Sequence, residues 1–221
     1  MCELISDNCS LLQVISRFGL TLGVGEKSVE EVCRDNGVDC STFLTVVNLM
    51  TDGYVHLSND MSEISIPTLV NYLRQSHYYF LELSLPNIRG KLINALSCSK
   101  DDVSKLILKF FDDYMAAVRK HMEYEDETVF RYVDSLLRGE TPAEYEIGTY
   151  SEHHEQVGET LTELKNILIK YCPRSVDFAV MNDALTGIYD CEEGLNWHSK
   201  IEDYIFVPAI DHLERRLHDE H

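Results

Sequence analysis

Basic residues are scarce in this chain. Nineteen Lys and Arg stand against 38 Asp and Glu among 221 residues, a formal charge of −19. Nucleic acid and anionic membrane surfaces repel so acidic a protein, so neither is expected as a partner. Long apolar runs are missing as well: none approaches the roughly 18 residues that a membrane span needs. The opening MCELISDNCS carries acids where a secretory signal carries Lys or Arg. The expectation is a soluble, cytoplasmic protein. Cysteine pairing motifs are also lacking. Cys2, Cys9, Cys33, Cys40, Cys98, Cys172 and Cys191 are odd in number and form no CxxC. That pattern argues against a disulfide framework and a structural zinc site, and the expectation is reduced thiols, many of them buried as small hydrophobes. No internal repeat with a period of roughly 20–50 residues and no low-complexity tract is found.

What is present is enough apolar residue, 44 %, to bury a sizeable core, in one large domain or two small ones. Residues 1–60 read as a small domain of short helices. SLLQVISRFG is amphipathic and ends at Gly19, GVGEK is a loop, and SVEE is a capping box with Ser28 at the N-cap and Glu31 three residues on. Gly37 can end that helix and Asp39 can start the next, CSTFLTVVNLM. The turn-rich TDGYVHLSNDMSE leads onward.

From Ile66 to residue 218 the pattern changes to four long helical segments. The first starts at Pro67, its core face running Leu69, Leu73, His77, Phe80, Ser84 and Ile88, with a kink expected at Pro86. The second starts at Asp101–Asp102 and runs Val103, Ile107, Phe110, Tyr114, Val118, His121, Glu125, Val129, Tyr132 and Leu136, ending by Gly139. The third follows the capping box TPAE and runs Ile147, Tyr150, His154, Val157, Leu161, Leu164, Leu168 and Tyr171. The fourth runs Phe178, Met181, Leu185, Ile188, Cys191, Leu195, His198, Glu202 and Ile205, with a bend expected at Pro208. Such three-four spacing is the seam of an antiparallel bundle, so the expected fold is all-α: an up-down-up-down four-helix bundle preceded by the small domain.

Each stripe holds a histidine, and two hold a glutamate as well. Residues four apart share one helix face, so His121 projects with Glu125 and His198 with Glu202. A lone histidine on an apolar face is most often a satisfied core residue, and a His with Glu four on is most often a surface pair. The conjunction is what points elsewhere: all four helices contribute, and both pairs lie in the stripe. A buried carboxylate costs several kcal/mol unless it is compensated, and a cation removes that cost. Four imidazoles and two carboxylates are too many for one zinc. They suit two irons, with two imidazoles on each, both glutamates bridging, and an oxo or hydroxo bridge that leaves one position open. The expected metal ligands are therefore His77, His121, Glu125, His154, His198 and Glu202. His153 is the competitor of His154, but it falls in phase with Glu146, Thr149, Gln156 and Thr160, a polar face. His56, His212, His218 and His221 fall outside the pattern and are expected at the solvated surface.

HMEYEDETVF (121–130), EHHEQVGETL (152–161) and HSKIEDYIFVP (198–208) resemble the hemerythrin-like (HHE) domain over residues from about 66 to 215. The order His, His-x3-Glu, His, His-x3-Glu is similar to the di-iron branch known as RIC, for repair of iron centres. An oxygen carrier of the family has a further histidine where this chain has Gly158. The resemblance implies repair of iron-sulfur clusters damaged by nitric oxide or oxidative stress, through iron donation or NO chemistry at a non-haem di-iron centre. A sensor or carrier module that binds O2 or NO is the alternative. Implied partners are NO or O2 and damaged or apo iron-sulfur proteins, with room for a homodimer. The RIC branch also has a small helical N-terminal domain whose loop holds adjacent cysteines; here Gly23 and Val24 stand at that place.

Overall fold

In the computed structural model of the chain, residues 1–52, 61–97, 102–140, 145–153 and 159–219 are described. No strand occurs among them. Helices α1 (Cys2–Asp7), α2 (Leu11–Arg17), α3 (Val29–Asp35) and α4 (Cys40–Asp52) precede a 3-10 turn at Met61–Glu63. Helix α5 (Ile66–Tyr78) continues through a π turn (Tyr79–Ser84) into α6 (Leu85–Leu96). Helix α7 (Asp102–Tyr124) continues through a second π turn (Glu125–Val129) into α8 (Phe130–Leu137). Helices α9 (Ile147–His153) and α10 (Glu159–Tyr171) follow, and α11 (Phe178–Ile201) runs through a third π turn (Glu202–Phe206) into α12 (Val207–Asp219). Among the described residues no helix is long and apolar enough to cross a membrane. Helix α1 lies outside the sequence expectation. The TPAE box (141–144) and His56 fall outside the described residues.

Backbone packing divides the chain into two compact units. The first comprises Met1–Ser76, Thr128–His154 and Lys200–His221. Its N-terminal helices form as the capping residues dictate. The Ser28 hydroxyl accepts from the Glu31 N–H at 3.2 Å while the Glu31 carboxylate accepts from the Ser28 N–H at 2.8 Å. Gly37, at φ +67°, takes the left-handed conformation that ends α3, and the Asp39 carboxylate accepts from the Thr42 N–H at 2.8 Å to open α4. Phe18 then packs on Phe43 and Tyr72, with ring centroids 5.2 and 4.6 Å apart. The Thr42 hydroxyl, fully buried, accepts from the Ser65 N–H at 2.8 Å, tying α4 to the start of α5. Glu214 on α12 accepts from both the Tyr132 hydroxyl (2.6 Å) and the Ile147 N–H (2.9 Å), so one carboxylate holds α8 and the first turn of α9.

The second unit comprises His77–Glu127 and Glu155–Ser199. Its core draws on four stretches, within residues 80–96, 107–122, 161–168 and 181–195. The α7 stripe differs by one residue from its expected phase at the N-terminal end. Phe111 and Ser104 are buried, whereas Val103 is exposed and Phe110 only partly covered. Tyr171 and Phe178, expected in the core, are 63 % and 82 % exposed. Both sit at helix ends, where periodicity fixes a face but not whether a neighbour reaches that far. A buried ion pair between Lys165 and Glu192 links α10 to α11; Thr162 donates to the same carboxylate at 2.6 Å, and the Lys165 ammonium lies 4.3 Å above the Tyr189 ring.

Cys33, at the end of α3, is fully buried, and burial together with the neighbouring Cys40 thiol pushes its pKa up to about 12. Cys2 and Cys9 are exposed. A thiol reagent at pH 8 should therefore modify Cys2 and Cys9 at least about a hundredfold faster than Cys33, read by peptide mass mapping. Equal rates would contradict the packing of α3 on α4.

Candidate metal centre

The helices widen beside several of the predicted ligands. His77 is the penultimate residue of α5, immediately before the π turn Tyr79–Ser84. Glu125 opens the π turn that follows α7, and Glu202 opens the one that follows α11. In these turns the hydrogen bond spans five residues: the Leu85 N–H donates to the Phe80 carbonyl and the Val207 N–H to the Glu202 carbonyl. Two of the three have a cause in the sequence. Pro86 and Pro208 each stand second in the helix that resumes, and a proline offers no N–H and crowds the carbonyl four residues back. An extra residue in the turn ahead relieves both problems. The kink expected at Pro86 and the bend expected at Pro208 thus take the form of local widening inside helices that continue. The turn at Glu125–Val129 has no such proline, and nothing in its sequence explains it.

Ligand atoms of His77, Glu125, His198 and Glu202 all lie within 4.8 Å of one another, and all four residues are buried. Glu125, completely inaccessible, faces two imidazoles with its two oxygens. Oε1 lies 3.0 Å from His121 Nε2, and Oε2 lies 3.1 Å from His77 Nε2. The His77 ring stands edge-on to the His198 ring, centroids 5.1 Å apart, and Phe80 packs against His198 at 5.9 Å. The structure therefore gathers four of the six predicted residues in one buried group. His121, with 17 % of its side chain exposed, joins through Glu125. His154 lies outside the described residues. His212 is partly buried on α12 and His218 is exposed, both apart from the predicted set, while His221 lies outside the described residues. One further residue was not singled out by the sequence reading. Asp126 Oδ2 lies 3.2 Å from His77 Nδ1. The signal for it was in view, because both His-x3-Glu pairs continue into an aspartate, Asp126 and Asp203.

Burial and charge act against each other here. Burial pushes the His77 imidazole down, but the carboxylates of Asp126 and Glu125 act more strongly the other way and leave it raised to about 9. Burial likewise pushes Glu125 up, while His121 and His77 hold it well below the usual carboxylate range. A proton on His77 thus compensates the carboxylates beside it. A cation can do the same. Donor atoms bound at about 2.1 Å, a right angle apart on one cation, stand about 3 Å from each other, the spacing found around Glu125. Imidazole nitrogens and carboxylate oxygens suit iron, zinc, copper or nickel, and a carboxylate can bridge two cations. The residues fit a metal centre.

Comparison with known proteins agrees with that chemistry. The family profile described as the hemerythrin HHE cation binding domain matches residues 68–210. No curated protein and no solved structure matches the chain.

The sign of the pH dependence follows from these shifts. His77, raised from 6.5 to about 9, contributes stability that is full below pH 6.5 and is lost as pH rises towards 9. Glu125, lowered from 4.5, contributes stability present above pH 4.5 and lost only as the pH falls well below that value. Chelator-treated protein should therefore lose several degrees of Tm between pH 6.5 and 9, measured by scanning calorimetry, and metal-saturated protein should not. A flat Tm in the stripped protein would contradict the pairing of His77.

Proposed function

The chain belongs to the hemerythrin HHE cation-binding domain family, and we propose that its metal centre holds two iron ions and serves the repair of iron-sulfur clusters damaged by nitric oxide or oxidation. The observation that carries this reading is the buried group of His77, Glu125, His198 and Glu202, with His121 reaching Glu125. On this reading His77, His121, Glu125, His154, His198 and Glu202 are the ligands. The frame on this reading is an up-down-up-down four-helix bundle over residues 66–218, with residues 1–60 as a small N-terminal helical domain.

The protein's own residues set what such a centre can do. Bound ferrous iron supplies one-electron chemistry and affinity for NO or O2. Glu125 offers one oxygen to the side of His121 and the other to the side of His77, so it could be shared between two cations. Only two of the six ligands are anionic; the imidazoles, being neutral, favour the ferric state less than carboxylates would and keep the ferrous state within reach. Phe80, with no exposed surface, closes the site beside His198. Histidine ligands would take up protons on acidification, which would let bound iron pass to an acceptor protein. No thiol chemistry is assigned to the loop at Gly23 and Val24. The setting on this reading is the cytoplasm, with damaged or apo iron-sulfur proteins as partners and room for a homodimer.

Freshly purified protein should carry about two irons per chain by elemental analysis. Glu125→Ala and Glu202→Ala should each fall well below that, as should His154→Ala, whereas His153→Ala should not. Retention of both irons in both glutamate variants would remove the bridging assignment. Anaerobic NO should yield N2O, or the iron should pass to an apo ferredoxin. Reversible stoichiometric NO binding with neither outcome would instead make the protein a sensor or carrier.

A further inference from the structure

A histidine that binds metal through one nitrogen usually donates the other N–H to a carboxylate, which fixes the ring's orientation and raises the basicity of the donor nitrogen. His77 stands in that arrangement. Its Nε2 faces Glu125 at 3.1 Å and its Nδ1 faces Asp126 at 3.2 Å. The two nitrogens point away from each other across the ring, so two consecutive residues have to reach opposite sides of one imidazole. In a regular α-helix neighbouring side chains diverge by about 100° around the axis. Here both carboxylates come from the π turn Glu125–Val129, whose wider winding alters that divergence and local direction. Glu125 points inward with no exposed surface, whereas Asp126 keeps 39 % of its side chain exposed. One carboxylate is thus placed as a buried ligand and the other at the rim.

From this geometry we propose that Asp126 is a positioning residue for the metal centre: it accepts the Nδ1–H of His77 and so fixes the tautomer that presents Nε2 to the cation. The assignment rests on the metal-centre reading given above. It gives a task to the residue after the glutamate in the first His-x3-Glu-Asp motif, and it accounts for two consecutive acids at a turn that no proline enforces. Asp126 touches no cation itself. Its effect reaches the site only through the His77 ring.

Zinc, being diamagnetic, serves as the probe. Wild-type protein, Asp126→Ala, Asp126→Asn and the exposed neighbour control Glu127→Ala are titrated with zinc against a chromophoric chelator. The His77 Nδ1–H signal is then followed by NMR in the zinc-loaded, histidine-labelled protein. Asp126→Ala should weaken zinc binding about 10–100-fold and lose the protected Nδ1–H signal. Asp126→Asn, whose amide oxygen still accepts, should retain most of both, and Glu127→Ala should match wild type. Circular dichroism establishes that each variant is folded; because Asp126 is partly exposed, folding should survive. Wild-type affinity and an unchanged Nδ1–H signal in Asp126→Ala would overturn the assignment. Failure of the wild-type protein to take up zinc or iron would instead overturn the metal-centre reading.

Discussion

Two carboxylates without solvent access set the terms for this molecule. Glu125 and Glu202 are both fully buried, and a buried carboxylate is tolerated only when positive charge or several donors stand against it. That charge can come in two exclusive ways. Protonated, His77 compensates the carboxylates beside it; neutral imidazoles would instead share a cation with them. The same donor atoms can serve either state, and cation binding requires them deprotonated.

The frame itself comes from helices that each become irregular beside a predicted ligand. A π turn adds one residue to a helical turn, which rotates everything downstream by roughly 100°. The burial pattern records that rotation. Before the turn at Glu125 the buried apolar positions are Ile107, Phe111, Tyr114, Val118 and Met122, spaced three or four apart; after it the neighbours Val129 and Phe130 are both buried, followed by Tyr132, Val133 and Leu136. The same happens beyond Glu202, where Ile205 and Phe206 are both buried and Ala209, Ile210 and Leu213 follow. The ligands thus stand where the helix changes phase. An apolar neighbour on either side can be buried without displacing the polar group from the interior.

This explains how far the sequence could be read. Local chemistry was legible: the Ser28–Glu31 box, the stop at Gly37 and the start at Asp39 all form as their residue types require. Gathering His77, Glu125, His198 and Glu202 was also legible, because a spacing of four places two side chains on one face whether or not the next turn widens. The π turns were not. One extra residue leaves the His-x3-Glu spacing untouched, and the prolines behind two of them read equally well as kinks. The one-residue error at Val103 and Phe110 has a different origin: near a helix end several faces are equally apolar, and only the neighbouring helix decides between them. Asp126 was visible but had no assigned partner, since its partner lies on another helix.

A buried charged cluster is poor evidence of design for stability. Apolar side chains of similar volume often stabilise a core as well as an ion pair does, or better, because the pair never fully recovers its desolvation. The surrounding interior of the second unit is built that way, from residues such as Leu92, Phe111, Leu164 and Ile188. If folding were the only requirement, His77, Glu125, His198 and Glu202 could be replaced by more of the same. The alternative, ion pairing through a protonated His77, holds the fold over a restricted pH range and weakens as His77 loses its proton near pH 9. Bound metal lifts that restriction, because it needs the very deprotonation that undoes the ion pairs. The cluster is thus most economical as a cation site that also folds, rather than a folding element that also binds.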